Sequence, residues 1–269
     1  MIYDCFPFFN ELDLLEIRLN SLAPYVDRFV LCEMGTTHSG KPKRLYFEEN
    51  AERFKDFPIT HIIAYDDGRY KPEPGKLSGD AWRLEHYQRE CLMQGLINCK
   101  PDDMILLSDL DEIPNMENFN GEEGAFKQKL YYYYLNCFTN TPMWKGTQSC
   151  LYKNIETLNH LRNFRNKRPT ISNDGGWHFS TLGTADEIIY KIESFAHTEL
   201  DTPEFKNTIE DNIKNLKDPY GRAPRNWDKY QDYHFSIEMP NGPKWLLENK
   251  DKYKHLFYEE KNSLHVPEG

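Results

Sequence analysis

This 269-residue chain has no apolar run long enough to cross a bilayer as a helix, and no Cys-x-x-Cys pair of the kind that holds structural zinc. The chain opens directly on a strand-like Ile2-Tyr3-Asp4-Cys5-Phe6, with no signal peptide pattern, so a cytoplasmic location is expected. The six cysteines are read as reduced thiols. Cys91 and Cys99, on one predicted helix, stand about 12 Å apart at the helical rise, too far to bridge. Cys32 sits in an apolar strand pattern as a small hydrophobe. Basic residues are outnumbered, with 33 Lys and Arg against 43 Asp and Glu. The formal net charge of −10 excludes a nucleic-acid backbone as the main partner, and the acidity is spread rather than gathered into a tail. There is no internal repeat, low-complexity tract or linker, so a single domain over residues 1–269 is expected.

Aromatic residues are plentiful for so polar a sequence, with 17 Tyr and 5 Trp available for a core or for sugar stacking. The first half alternates strand and helix patterns. Residues 1–5 read as a strand, and 11–22 as a helix with leucines at helical spacing and Asn10 as its N-cap. Pro24 closes that helix before a strand at Arg28–Glu33. A third strand spans 59–64 and a long helix 79–98. This order predicts an α/β fold with a mostly parallel, right-handed sheet. Leu130–Leu135 is a further β-rich segment, 185–195 a helix, 218–226 a Pro/Gly/Arg-rich loop, and a last helix follows Pro243.

The most informative stretch is Met104-Ile-Leu-Leu-Ser-Asp-Leu-Asp-Glu-Ile-Pro114. A short buried strand ends abruptly in acids, at the strand end where open α/β sheets bind ligands. Alternation puts Asp109 and Asp111 on one face and turns Glu112 away. Two converging carboxylates repel, and a divalent cation such as Mn²⁺ or Mg²⁺ resolves that repulsion. The bland reading is a solvated acidic turn.

Three other constellations carry candidate chemistry. Gly35-Thr-Thr-His-Ser-Gly-Lys41 matches a phosphate-cradling loop except that Pro42 stands where a hydroxyl must meet magnesium, so a P-loop-like nucleotide hydrolase is a distant alternative. The plain alternative is a flexible surface loop that closes over a ligand. On the 79–98 helix, Trp82, Glu85 and Arg89 share one face; the last two make a surface ion pair or fix an arginine for a phosphate or base. Gly175-Gly176 allow close backbone approach to a ligand, Trp177 offers a stacking face, and His178 is a candidate metal ligand.

Taken in order, Asn10–Arg18, Val30–Glu33, Trp82…Glu85…Gln88-Arg89, Ser108–Pro114, Trp177–Ser180 and Lys191–Glu199 resemble the family 17 glycosyltransferases from about residue 2 to about 258. The resemblance implies a GT-A-like nucleotide-sugar-binding fold and a UDP-sugar donor with a carbohydrate acceptor. It implies Mn²⁺ or Mg²⁺ on Asp109 and Asp111, with His178 as a third ligand. It puts Glu33 at uracil or ribose, Arg89 and Lys191 near the nucleotide or its phosphates, and Trp82 and Trp177 beside the substrates. For the general base of an inverting transfer, Asp174 ranks first because it precedes the double glycine, with His178 and Glu199 behind it. A non-catalytic carbohydrate-binding protein is the runner-up, and UDP binding with and without Mn²⁺ separates the two.

Overall fold

The computed structural model describes residues 1–117, 119–140, 143–220 and 235–259. Its N-terminal half is β1 (Ile2–Phe8), α1 (Leu12–Leu22), β2 (Arg28–Met34), α2 (Tyr46–Glu49), β3 (Ile59–Ala64), α3 (Gly79–Cys91) and β4 (Met104–Leu107). Strands β3, β2, β1 and β4 lie side by side in that order, all parallel. Both faces of this half are covered, which is why its strands read as continuous apolar runs. Phe6, Phe8, Phe29, Leu31 and Leu106 pack on the α1 side, while Cys5, Val30, Cys32, Ile105 and Leu107 pack on the α3 side.

Then come β5 (Glu112–Pro114), β6 (Gly124–Tyr133), β7 (Cys137–Thr139), β8 (Trp144–Leu151), α4 (Leu158–Asn163), β9 (Thr170–Ser172) and β10 (Gly176–Leu182). Beyond them lie α5 (Ala185–Ile192), α6 (Pro203–Lys206), α7 (Ile209–Lys214), β11 (Phe235–Ile237) and α8 (Lys244–Glu248). Strand β8 joins the parallel half antiparallel to β4 and carries β6 and β7 outward. β10 runs parallel to β6 and antiparallel to β5, wedged between the two. Helix α5 starts on a capping box, Thr184 with Glu187, and its Ile188 and Ile192 cover Leu130 and Tyr132 of β6.

Three details differ from the sequence expectations. Helix α1 starts one residue late, with Glu11 at its cap position; Asn10 supplies only a carbonyl to Leu12 N–H. The 79–98 helix changes to a 3₁₀ turn over Leu92–Leu96, where a side chain on Gly95 would strike Val30 at 2.3 Å. The double glycine of 175–176 serves packing between strands rather than a ligand. A Cβ at Gly175 would meet the Lys127 backbone at 2.6 Å, and one at Gly176, where φ is +115°, the Ile113 carbonyl at 2.2 Å. The last helix does follow Pro243. The Pro/Gly/Arg-rich loop lies outside the described residues from 221 onward. Among the described residues the six cysteines are free thiols, and no helix is long and apolar enough to cross a membrane.

Candidate active site

Strand β4 ends at Leu107, and Ser108–Asp111 form a tight turn before β5, at the carboxyl edge of the parallel strands. What holds that turn is Arg18, a fully buried arginine on the core face of α1. It forks onto Asp4 of β1 at 2.8 and 2.6 Å. It also donates to the carbonyls of Asp109 (3.1 Å), Leu110 (3.0 Å) and Glu112 (2.9 Å), and to Ser108 Oγ (2.6 Å). A buried guanidinium is tolerated only when its donors are matched, and here the acidic turn supplies the acceptors that Asp4 does not.

The carboxylates face two different cations. Asp109 pairs with Arg162 of α4, whose guanidinium also holds Glu112 at 2.7 and 2.8 Å. Glu112 does not turn away, as alternation predicts, because residues 108–111 are a turn. It is fully buried and accepts from Asp109 N–H (3.0 Å) and from Trp144 Nε1. Gly146 makes room first for Gln128, whose Oε1 a side chain there would strike at 1.7 Å, and then for Glu112, whose carboxyl carbon lies at 3.1 Å. Asp111 lies on the other side, its two oxygens 3.5 Å from His178 Nε2 and 3.5 Å from Lys191 Nζ of α5, and Lys191 is 3.3 Å from Glu11. Burial opposes the charge on Asp111, but Lys191 and His178 outweigh it and hold the carboxyl well below the usual range. Asp109 is depressed in the same way: burial opposes its charge, Arg162 and Arg89 prevail, and Asp111 pushes back.

Helix α3 forms one wall. Arg89 is buried and holds Glu85 and Asn159 Oδ1 (2.9 Å), so this is no surface pair. Trp82 meets the His197 ring edge-on at 4.8 Å, and His197 Nδ1 bonds Glu199 Oε1 at 2.7 Å. The other Glu199 oxygen is buried without a partner among the described residues. Gln88 donates to the carbonyls of Phe8 and Cys32 at the ends of β1 and β2. Its own oxygen therefore accepts from His38 Nε2 at 2.7 Å, which places the His38 proton on that nitrogen.

Residues 35–43 do not form a phosphate cradle. The stretch folds into a hairpin closed by a Thr36–Pro42 bridge; the N–H groups of Thr37, Gly40, Lys41 and Lys43 bond within it, and that of Ser39 bonds the Ser194 carbonyl. Nor is it a loose loop: Ser39 bonds the Glu193 and Ser194 carbonyls, and Lys43 is buried on Glu33 at 3.4 Å. Glu33, expected at uracil or ribose, is likewise fully buried, accepting from Phe47 N–H (3.0 Å) and Glu48 N–H (3.3 Å).

Trp177 and Asp174 also fall elsewhere. Neighbours on a strand point to opposite faces, so His178 turns to Asp111 while Trp177 joins the α1-side core and donates to Asn241 Oδ1 at 3.0 Å. Asp174 is 72% exposed and 3.8 Å from Lys129. It lines a separate cavity of about 470 Å³ with Trp177, Asn115, Lys244 and Leu247.

The acid pair fits a hard divalent cation. Such an ion takes one or two carboxylates and completes its shell with phosphates and water. Asp111 is loosely held at 3.5 Å on both sides, and the His178 nitrogen that faces it is Nε2. No closed set of three His, Cys, Asp or Glu ligands exists among the described residues, and an ion completed by substrate needs none.

The model of glycosyltransferase family 17 matches residues 1–260. The chain belongs to that family. It is 26% identical to the β-1,4-mannosyl-glycoprotein 4-β-N-acetylglucosaminyltransferase of Rattus norvegicus, over 92% of this chain and 52% of the relative. The enzyme of the same name from Homo sapiens is 26% identical over 94% of this chain and 55% of the relative. The chain thus spans about half the length of the relatives it matches. Within this family 17 chain, sequence reasoning missed Arg18, Arg162 and Glu11. Arg18 stands three and four residues from Leu15, Leu14 and Leu22, squarely in the apolar stripe, and Asp4 alternates with Phe6 and Phe8. Two opposite charges at core positions announce a buried pair.

Proposed function

We propose that this chain moves N-acetylglucosamine from a UDP-sugar to a carbohydrate hydroxyl, with inversion and with Mn²⁺ or Mg²⁺ as cofactor. The observation that carries the reading is the acid pair at the carboxyl end of β4, on a turn fixed by a buried arginine, with Asp111 held only at 3.5 Å. The relatives' printed names support the donor sugar and a carbohydrate acceptor. Asp109 and Asp111, with His178, would hold the ion, which supplies Lewis-acid stabilisation of the departing diphosphate. Arg89 and Lys191 add fixed positive charge beside it, and Trp82 offers an aromatic wall. The proton acceptor is assigned to Glu199, whose Oε2 has no partner among the described residues while His197 fixes its Oε1. Asp174 is set aside because exposure and a separate cavity distance it from the acid pair.

Calorimetry with UDP, with and without Mn²⁺, tests this on wild type, Asp109→Ala and Asp111→Ala. Metal-dependent UDP binding in wild type and its loss in both variants are expected, with each variant still folded and melting cooperatively. Arg162 keeps Glu112 and Lys191 keeps Glu11 in those variants, so neither leaves a buried cation unpaired. UDP binding indifferent to metal and to both substitutions overturns the reading.

A further inference from the structure

The acidic turn has a neighbour that the transfer scheme does not use. Arg165 follows Arg162 by three residues, just past the end of α4, and its guanidinium lies over the Trp144 ring, 4.7 Å from the centroid. Trp144 is fixed by its Nε1 bond to Glu112, and its ring stands 5.3 Å from that of His178, the partner of Asp111. Arg165 is therefore held against the same cluster that holds both carboxylates. Its own polar contacts are poor. Among the described residues it makes one weak bond, Nη1 to the Arg162 carbonyl at 3.4 Å, and it meets no carboxylate within ion-pair distance. Nearly every other arginine at this end of the sheet is matched: Arg18 by Asp4, Arg89 by Glu85, Arg162 by Asp109 and Glu112.

We propose that Arg165 grips the diphosphate of the nucleotide-sugar and of the departing nucleoside diphosphate, a specificity residue for the number of phosphates on the donor. The inference rests on the UDP-sugar reading above. A half-buried guanidinium stacked on an indole retains a planar fork of N–H donors whose geometry matches phosphate oxygens. Burial and the nearby Arg162 already work against its charge, and an incoming anion relieves both. Trp144 keeps the guanidinium plane in place without using its donors.

The test is titration of the full chain, in Mn²⁺, with uridine, UMP and UDP, comparing wild type, Arg165→Gln and Arg165→Lys. Arg165→Gln should lose about ten-fold to one-hundred-fold in UDP affinity, the scale of hydrogen bonds to a charged group. Its uridine affinity should stay within about two-fold, as for a substitution remote from the ligand. Arg165→Lys should recover part of the UDP affinity, since lysine restores the charge without the fork. Thermal melts near wild type are expected because no buried acid loses its partner. UDP affinity unchanged in Arg165→Gln, or uridine lost in step with UDP, overturns the assignment of Arg165 alone. A wild-type chain that binds no UDP overturns the donor reading and this inference with it.

Discussion

Two buried arginines grip the same short turn from opposite directions, and they do different things. Arg18 comes from α1 and takes the backbone carbonyls of Asp109, Leu110 and Glu112. Arg162 comes from α4 and takes the side chains of Asp109 and Glu112. The first fixes where the turn is, in a dry core where its partner Asp4 is fully buried. The second fixes which way the acids point, beside an Asp109 that is 39% exposed and open to exchange partners. Shape and charge are thus held by separate groups, and the acids can trade partners while the backbone beneath them stays.

The largest effect is expected at the shape-holding side. Arg18→Leu leaves Asp4 as an uncompensated charge in the core and should cost about 3–5 kcal/mol of stability, measured by urea unfolding. The double variant Asp4→Leu/Arg18→Leu removes the stray charge and should recover part of that loss, the remainder reporting the bonds to the turn. A single variant as stable as wild type would dissolve the distinction between the two arginines.

On the chemical side, Glu199→Gln should lower transfer by about 10²-fold or more while UDP affinity is retained, the usual consequence of removing a proton acceptor. Transfer near the wild-type rate would move that role to His178.

A smaller effect is expected from Asp111 as the pH falls. Asp111 is held below the usual carboxylate range, so its unfolded form binds a proton first as pH falls. The stability it adds is present above the ordinary aspartate pKa and is lost as pH drops through that value toward the lower folded one. Urea unfolding followed from neutral pH down into the acid range should show this loss in wild type and a flatter profile in Asp111→Asn. Identical profiles would mean that Lys191 and His178 do not hold the charge.

The smallest effect belongs outside the turn altogether. Asp174→Asn breaks only an exposed pair with Lys129 at 3.8 Å, and should change stability by less than about 0.5 kcal/mol and leave transfer near wild type. A large loss of activity there would return the base assignment to Asp174.

The parallel half of the sheet was legible because β1, β2 and β4 are largely buried apolar runs and helices separate its strands. The residues of the site drawn from that half, Asp109, Asp111 and Arg89, do gather at one end. In the second half the 130–135 strand and the helices over 185–195 and after Pro243 were legible, but the sheet pairing was not, since β8 and the wedge of β10 between β5 and β6 depend on pairings distant in sequence, which local periodicity does not encode. The double glycine fits that wedge, although its signal, close backbone approach, reads the same for a strand as for a ligand. Trp177 and His178 are adjacent on a strand, and period two alone forbids them from sharing a site. Glu33 misled because a strand-end acid looks alike whether it meets a nucleotide or caps α2, and only the Phe47 and Glu48 amides distinguish the cases.

The Arg18 clamp also has a bearing on how this protein can be cut and joined. Its cation and counter-ion both lie within the first eighteen residues, yet the turn it holds comes 90 residues later, at Ser108. Trimming the first strand, or displacing it with a poorly chosen amino-terminal fusion, would therefore release the acidic turn while leaving every residue of that turn in place.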